Sequence, residues 1–361
     1  MIHIAKPFIG EEEKQAVVDV MGSGMIATGA TVTEFENKFA KYIGVEHGIA
    51  ASSGTTALEL ALRAVGIGKG DKVLTTPFSF IASTNAIIYV GATPVFADIS
   101  PVDFNIDPAL MEEKLRTTPD IKALLIVHLF GHPCDMDAIM SLVEKYRVIL
   151  IEDCAQAHGA QYKGKKVGGL GHVSAFSFYP TKNMTTSEGG MVLTKDKDIA
   201  EKTRLLVNHG MKVRYYHDEI GYNYRMTNIA AAIGLCQLKK LDGFNEKRNQ
   251  TAKFYSESIR NKNVVVPSVA DNCYHCFHQY SILVKNGKRD ALLEHLQKNN
   301  VGYGVFYPLS IPEQACYKDF GFDTNLPITN RIKEEILSIP VHPQLRQEEI
   351  QKVADIINKF E

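Results

Sequence analysis

The stretch IKALLIVHLFGHPCDMDAIMSLVEKYRVILIEDCA, residues 121–155, decides the fold class of this 361-residue chain. Two apolar runs, ALLIV (123–127) and VILI (148–151), show no polar–apolar alternation and are separated by a segment long enough for a helix. Strands of that composition are typical of parallel sheets, which are buried on both faces. The stretch therefore predicts two parallel strands with a helix between them.

The same alternation of strands and helices extends in both directions along the chain. Further strands are predicted in HGIAAS (47–52), DKVLTTPF (71–78), ATPVFADI (92–99), SAFSFYP (174–180) and GGMVLT (189–194). After the first of them, apolar residues recur on one helical face at Leu58, Ala61, Leu62 and Val65. This pattern predicts an α/β fold with an open, doubly wound, mainly parallel sheet and helices on both sides.

The C-terminal third has a different texture. A long charged amphipathic helix is predicted in LKKLDGFNEKRNQTAKFYSESI (238–259), a strand in QYSILVKN (279–286) and a final helix in QEEIQKVADIINKF (347–360). We therefore expect a large domain over residues 1–240 and a smaller α+β domain over residues 241–361.

The charge balance and the hydropathy of the chain exclude several classes of protein. Forty basic residues against 41 acidic ones give a formal charge of -1, whereas a nucleic-acid binder is expected to be strongly basic. No uncharged apolar run reaches the ~18 residues of a membrane-spanning helix. The N-terminal segment MIHIAKPFIGEEEKQ lacks the apolar core of a signal peptide. We expect a cytoplasmic protein that binds neither nucleic acid nor membrane.

The six cysteines do not predict a metal site. The closest pair, Cys273 and Cys276, lies in CYHCFH, where two histidines could complete a set of four zinc ligands. The spacing fits no standard zinc pattern, and the segment continues into the strand-like QYSILV. We predict a core strand there, no metal, and reduced thiols.

Polar residues follow two of the predicted strands, where an open α/β sheet binds its ligands. SSGTT (52–56) opens a helix, so the amides of Gly54 and Thr55 could bind an anion, although the segment also fits a plain helix cap. Glu152 and Asp153 end another strand. We assign Glu152 to capping the following helix and Asp153 to pairing with a bound cation, because a buried carboxylate is costly without a partner.

A single lysine, Lys182, lies in FSFYPTKNMTTSEGGMV (176–192), between two predicted strands. Most lysines in such turns are solvated, but an amine in a cleft can bond covalently to a carbonyl. A phosphate cradle, a buried carboxylate and an amine together meet the needs of pyridoxal 5'-phosphate (PLP), which uses a lysine Schiff base and an acid at its pyridine nitrogen.

The chain resembles the DegT/StrS-type sugar aminotransferases, which are fold-type I enzymes dependent on PLP. The resemblance runs nearly end to end and is carried by FSFYPTKNMTTSEGGMV, IEDCAQAHGA, SSGTTAL, PFSFIAS and GYNYRMTNIAAAIG. It implies that Lys182 bonds the cofactor and moves the substrate proton, that Asp153 pairs with the pyridine nitrogen, that Gln156 lies near the ring hydroxyl, and that Phe80 stacks on the ring.

The resemblance also assigns the phosphate. It implies that Gly54, Thr55 and Ser177 hold the phosphate, and that Asn223 reaches the phosphate of a neighbouring subunit. Such an arrangement implies a homodimer with shared active sites.

The function implied by the resemblance is transfer of an amino group, with glutamate as donor, to carbon 3 or 4 of a nucleotide-linked keto-sugar. The product would be an amino sugar for a polysaccharide, a glycan or a secondary metabolite. Two alternatives stay open: a non-catalytic regulatory or sensory homologue that binds PLP, and a sugar dehydratase. Related dehydratases carry histidine where this chain has Lys182, which favours transamination.

Two positions depart from the usual family pattern. Ser187 replaces the first glycine of the segment commonly read TGEGG. Phe306 stands before Tyr307 and Pro308 where members commonly carry histidine near the sugar. The second departure concerns the substrate and does not touch the cofactor.

Overall fold

A computed structural model describes residues 1–361. Its α-helices are α1 (Glu11–Ser23), α2 (Ala30–Ile43), α3 (Gly54–Ala64), α4 (Ala82–Tyr89), α5 (Pro108–Thr117), α6 (Met136–Tyr146), α7 (Lys197–Val207), α8 (Asn228–Ser258), α9 (Arg289–Lys298), α10 (Pro327–Glu335) and α11 (Gln347–Asn358). Three short 3-10 helices cover Leu129–Gly131, Ile311–Glu313 and Ala315–Phe320.

The strands are β1 (His47–Ala51), β2 (Lys72–Thr75), β3 (Thr93–Phe96), β4 (Ile121–Val127), β5 (Ile149–Asp153), β6 (Gln161–Tyr162), β7 (Lys165–Lys166), β8 (Val173–Ser177), β9 (Gly190–Thr194), β10 (Met211–Val213), β11 (Tyr216–His217), β12 (Val264–Val265), β13 (Cys273–Tyr274), β14 (Tyr280–Val284) and β15 (Ile336–Ile339). Every strand predicted between residues 47 and 194 is present.

The central sheet has seven strands in the order β1-β9-β8-β5-β4-β2-β3. The pairs among β8, β5, β4, β2 and β3 are parallel, whereas β9 runs antiparallel to β1 and β8. This arrangement confirms the predicted α/β fold with a mainly parallel sheet.

Both faces of the sheet are buried, as the unalternated apolar runs predict. On β4, Leu125 and Val127 join the core formed with α3, whereas Leu124 and Ile126 join a second core with α5 and α6. Because successive strand residues point to opposite faces, an apolar residue is needed at every one of these positions.

The connection from β5 to β8 differs from the prediction, because it contains no helix. Residues 154–172 form turns and the short hairpin β6–β7, to which β13 adds a third strand. A helix cap at Glu152 is therefore impossible, and that assignment was wrong.

The C-terminal part has its own antiparallel sheet, β12-β14-β15. Its core includes Ala252 and Tyr255 of α8, together with side chains of α9 and α11. The same helix contributes Ala231 and Leu241 to a core of the N-terminal part, so α8 runs unbroken through residue 240. The division at residue 240 stays a prediction.

None of the helices combines the length and the apolar character needed to cross a lipid bilayer.

Candidate active site

A cleft of about 680 Å³ opens at the carboxyl ends of the parallel strands. Residues that follow β1, β2, β5 and β8 line one side, and residues of α8 and of the C-terminal part line the other. Seven of the eight predicted site residues border it: Gly54, Thr55, Phe80, Asp153, Gln156, Ser177 and Lys182. Parallel strands end at one edge of a sheet, which explains how positions so distant in sequence meet.

The N-terminus of α3 forms one end of this cleft. Ser53 caps the helix by accepting the N–H of Thr56 at 3.1 Å, and the backbone amides of Gly54 and Thr55 have no carbonyl partner in the helix. A Cβ on Gly54 would lie 2.5 Å from the Cβ of Ser177, so only glycine allows the helix to come this close to β8. The capping and anion-binding interpretations of SSGTT are thus compatible: Ser53 caps the helix, while the amides of Gly54 and Thr55 stay free at its N-terminus, close to Ser177.

Asp153 ends β5 and is 4% exposed. Its Oδ1 accepts the Ala155 N–H at 3.0 Å, and its Oδ2 accepts the Ser83 hydroxyl at 2.8 Å. Burial nevertheless raises the pKa of Asp153, against these hydrogen bonds and the charge of Lys182. The carboxylate therefore lacks a close cationic partner, and a protonated ring nitrogen would supply one.

Lys182 lies in the turn after β8, where its backbone N–H donates to the carbonyl of Tyr179 at 2.9 Å. Burial lowers the pKa of its ammonium to about 8, and only the charge of Asp153 opposes this shift. An amine with this pKa is a much better nucleophile near neutral pH than a solvated lysine.

Aromatic rings line both sides of the cleft. Phe80 is 57% exposed to the cleft, and its ring centroid lies 6.5 Å from that of Tyr307. Gln156 is oriented from both ends: its Oε1 accepts the Phe130 N–H at 2.7 Å, and its Nε2 donates to the Tyr307 hydroxyl at 3.1 Å. Phe80, Tyr307 and Lys182 line the same cleft, so an aromatic ligand held by Lys182 can stack on a ring.

Asn223 is the predicted site residue that the cleft of its own chain does not contain. It is exposed and forms an isolated antiparallel bridge with Asn208. Its predicted contact with a neighbouring subunit stays a prediction.

Glu152 points away from the cleft and holds a loop. Its carboxylate accepts the N–H groups of Gly168, Leu170 and Gly171 at 2.8, 2.9 and 2.6 Å. His128 Nδ1 accepts the Cys134 N–H, so its Nε2 carries the proton and lies 3.0 Å from Glu152. Although burial opposes the shift, these hydrogen bonds lower the pKa of Glu152. Because adjacent residues of a strand point to opposite faces, Glu152 supports the loop while Asp153 faces the cleft.

Most of the segment CYHCFH lies outside the cleft. Cys273 lies on β13, and Cys276 is buried against Gly131 and the carbonyl of Gln156, 3.5 Å from its Sγ. His278 reaches the cleft itself.

Sequence reasoning missed several residues of the cleft. Ser83 follows Phe80 in PFSFIAS and could have been found from that motif. The only signal for Tyr307 is its position next to Phe306. Arg248 and His342 carry no signal, because nothing in their local sequence distinguishes them from ordinary polar positions.

The comparisons with known proteins agree with this geometry. A family model described as the DegT/DnrJ/EryC1/StrS aminotransferase family matches residues 7–358. GDP-perosamine synthase of Caulobacter vibrioides is 40% identical over 98% of this chain and 96% of its own length. A pleiotropic regulatory protein of Geobacillus stearothermophilus is also 40% identical, over 95% of this chain and 92% of its own.

Solved structures resemble the whole chain. DesV of S. venezuelae, in complex with a ketimine intermediate, superposes with a TM-score of 0.93 at 34% identity and covers 97% of this chain and 94% of its own. Spr1654 of Streptococcus pneumoniae in a PLP form has a TM-score of 0.94 at 29% identity and covers 99% and 98% of the two chains.

Proposed function

Because this chain belongs to the DegT/DnrJ/EryC1/StrS aminotransferase family, we propose that it transfers an amino group from glutamate to carbon 3 or 4 of a nucleotide-linked keto-sugar. It is a PLP-dependent aminotransferase, as its family is. The product is an amino sugar that enters a polysaccharide, a glycan or a secondary metabolite.

The observation that carries this proposal is the meeting of three groups at one edge of the sheet. The nucleophilic amine of Lys182, the buried acid Asp153 and the amide cradle of Gly54 and Thr55 all border a single cleft. Bound PLP supplies an aldehyde that carries nitrogen and a ring that takes up electrons.

Each side chain of the cleft then has a defined task. Lys182 would hold the aldehyde carbon of bound PLP, and its amine would carry a proton to and from the substrate carbon that bears nitrogen. Asp153 keeps the ring nitrogen protonated by pairing with it. Ser177 adds its hydroxyl to the amides that bind the phosphate, and Phe80 covers one face of the ring.

Two features support a sugar as the amino acceptor. The relative from Caulobacter vibrioides is a GDP-perosamine synthase, and it aligns over nearly all of both chains. A cleft of about 680 Å³ is of the size expected for a ligand larger than an amino acid, since small-molecule sites span ~300–1,000 Å³. Phe306 lines the cleft beside Tyr307 in place of the family histidine, so this position bears on which sugar is bound and does not itself support a sugar.

We also propose a homodimer in which Asn223 completes the site of its partner. The exposure of Asn223, outside the cleft of its own chain, supports this assignment. An exposed apolar hairpin lies close by in sequence, with Tyr215, Tyr216 and Ile220 more than two-thirds exposed, at 74%, 72% and 88%. Apolar surface of this kind is typical of an interface.

A regulatory role is the second candidate, because a relative with 40% identity is named a pleiotropic regulatory protein. The two functions differ in turnover. Glutamate added to the PLP-loaded protein should convert the cofactor to its aminated form, with a change in its absorption spectrum, if the protein is an aminotransferase. A protein that only senses PLP would leave the spectrum unchanged.

The decisive experiment supplies the aminated form with a panel of nucleotide-linked 3-keto and 4-keto sugars. Mass spectrometry should detect the amino sugar from at least one of them, and the Lys182→Ala variant should make none while keeping its fold. Failure of the wild-type protein with the whole panel, or turnover by Lys182→Ala, would contradict the proposed function.

A further inference from the structure

Arg248 of α8 is a buried cation without an anionic partner. The residue is 5% exposed and borders the cleft from the side opposite the sheet. Its Nη1 donates to the carbonyls of Phe277 at 3.1 Å and His278 at 3.2 Å, whereas its Nε has no hydrogen-bond partner. Burial lowers the pKa of the guanidinium to about 10, with no carboxylate near enough to oppose the shift.

An unpaired buried charge is costly, so such a group normally has a partner. The bonds to two main-chain carbonyls fix the position of the guanidinium but do not neutralise it. Arginine presents its donors as a rigid planar fork that matches a carboxylate. The missing partner is therefore an anion that arrives with a ligand.

The other polar groups at this end of the cleft are neutral and also lack partners. His278 Nδ1, His342 Nδ1 and Gln279 Oε1 have no hydrogen bond, although all three residues line the cleft. Burial, followed by the charges of Lys182 and Arg248, lowers the pKa of His278. Burial and the charge of Arg248 likewise lower the pKa of His342 to about 4. Near neutral pH, the two histidines are therefore uncharged, and Arg248 carries the positive charge at this end of the cleft.

We propose that Arg248 binds a carboxylate of the amino donor. The inference rests on the proposed function, since it names the side chain that recognises the donor of the same reaction. His278 and His342 border the bound carboxylate and offer ring N–H groups to it.

The diphosphate of a nucleotide sugar is the other anion that could enter this cleft. It is attached to carbon 1 of the sugar, two or three ring bonds from the carbon that receives nitrogen, and it carries a nucleoside on its other side. Arg248 is only 5% exposed in the wall of the cleft, where a small carboxylate meets less steric hindrance than a diphosphate held between a sugar and a nucleoside. An amino acid can place its carboxylate there while its amine meets Lys182, since both residues line the same cleft.

The test measures the two half-reactions separately in the PLP-loaded protein. Arg248→Gln should lower kcat/KM for glutamate by roughly tenfold to a hundredfold, the cost of a charged hydrogen bond. It should change kcat/KM for the keto-sugar less than about threefold. Lys253→Gln, which removes an exposed cation from the same helix, should change neither. Binding of glutarate, a dicarboxylate without an amine, provides a readout without turnover and should weaken in Arg248→Gln alone.

A further variant covers the case in which Arg248→Gln misfolds. His342→Glu places a carboxylate close to the guanidinium and leaves its bonds to the carbonyls in place. It should weaken glutarate and glutamate binding without lowering the Tm.

The remaining outcomes overturn the inference. A selective loss of the keto-sugar half-reaction would assign Arg248 to the diphosphate. Unchanged glutarate binding in Arg248→Gln, or in a folded His342→Glu, would leave Arg248 with a structural role only. If the wild-type protein converts no amino donor, the proposed function is wrong. If the wild-type protein turns over normally and Arg248→Gln is unaffected, only the role given to Arg248 is wrong.

Discussion

The lowered pKa of Lys182 leads to a quantitative prediction about the cofactor-free protein. Burial brings the pKa from 10.5 to about 8. At pH 7 the unprotonated fraction rises from ~0.03% to ~9%, about 300-fold, since each pKa unit is a factor of ten. The Asp153→Asn variant should shift the pKa further down, because the charge of Asp153 is the contribution that raises it.

The assay is brief reductive methylation of the cofactor-free protein between pH 6 and pH 9.5. Peptide mass spectrometry follows the fragment that contains Lys182, and the unfolded protein provides the ordinary lysine profile. In the folded protein, the rate at Lys182 should rise with pH, pass its midpoint near pH 8 and become constant by pH 9.5. In Asp153→Asn the midpoint should move to lower pH.

A rate that rises tenfold per pH unit up to pH 9.5, without a plateau, would show that the amine keeps its ordinary pKa. A midpoint that moves upward in Asp153→Asn would show that the two side chains do not interact as described. Either result would remove the physical basis for choosing Lys182 as the nucleophile.

Three further changes test other parts of the structure. Gly54→Ala places a Cβ 2.5 Å from that of Ser177 and should displace the amides that bind the phosphate. The affinity for PLP, measured by fluorescence titration, should fall by roughly tenfold or more because hydrogen bonds to the phosphate are lost. An unchanged affinity would contradict the assignment of these amides to the phosphate. Glu152→Gln should lower the free energy of unfolding in urea by about 3 kcal/mol at pH 7. Because the pKa of Glu152 is lowered in the folded protein, the difference between variant and wild type should shrink as the pH falls below 4.5. A difference that does not depend on pH would contradict this role of the carboxylate. Mixing Lys182→Ala subunits with Asn223→Ala subunits should restore about a quarter of wild-type activity if sites are shared in a dimer, and none if each chain completes its own site.

The sheet and one side of the cleft could be predicted from the sequence because their signals are local. Buried parallel strands need contiguous apolar residues, and their carboxyl ends must lie at one edge. Lys182 and Asp153 follow such strands directly, so their convergence could be expected from the order of the strands and the residues that end them.

The other side of the cleft could not be predicted in this way. Arg248 sits in the middle of a charged helix, and Tyr307 and His342 lie in irregular segments whose path depends on how the C-terminal part packs. The environment of Glu152 was missed for a similar reason: its partners are the amides of the distant loop that holds Gly168 and Gly171, in a connection where a helix was expected.

The continuity of α8 affects how this protein can be divided. The helix contributes side chains to the cores on both sides of residue 240, so a truncation there would cut it near its middle and leave Leu241, which belongs to a core of the N-terminal part, on the C-terminal fragment. Both fragments would end inside a packed helix, so a solvated linker could not replace the lost half of α8. If the protein is expressed in parts, cut by limited proteolysis or joined to a segment of another protein, the junction should lie outside residues 228–258.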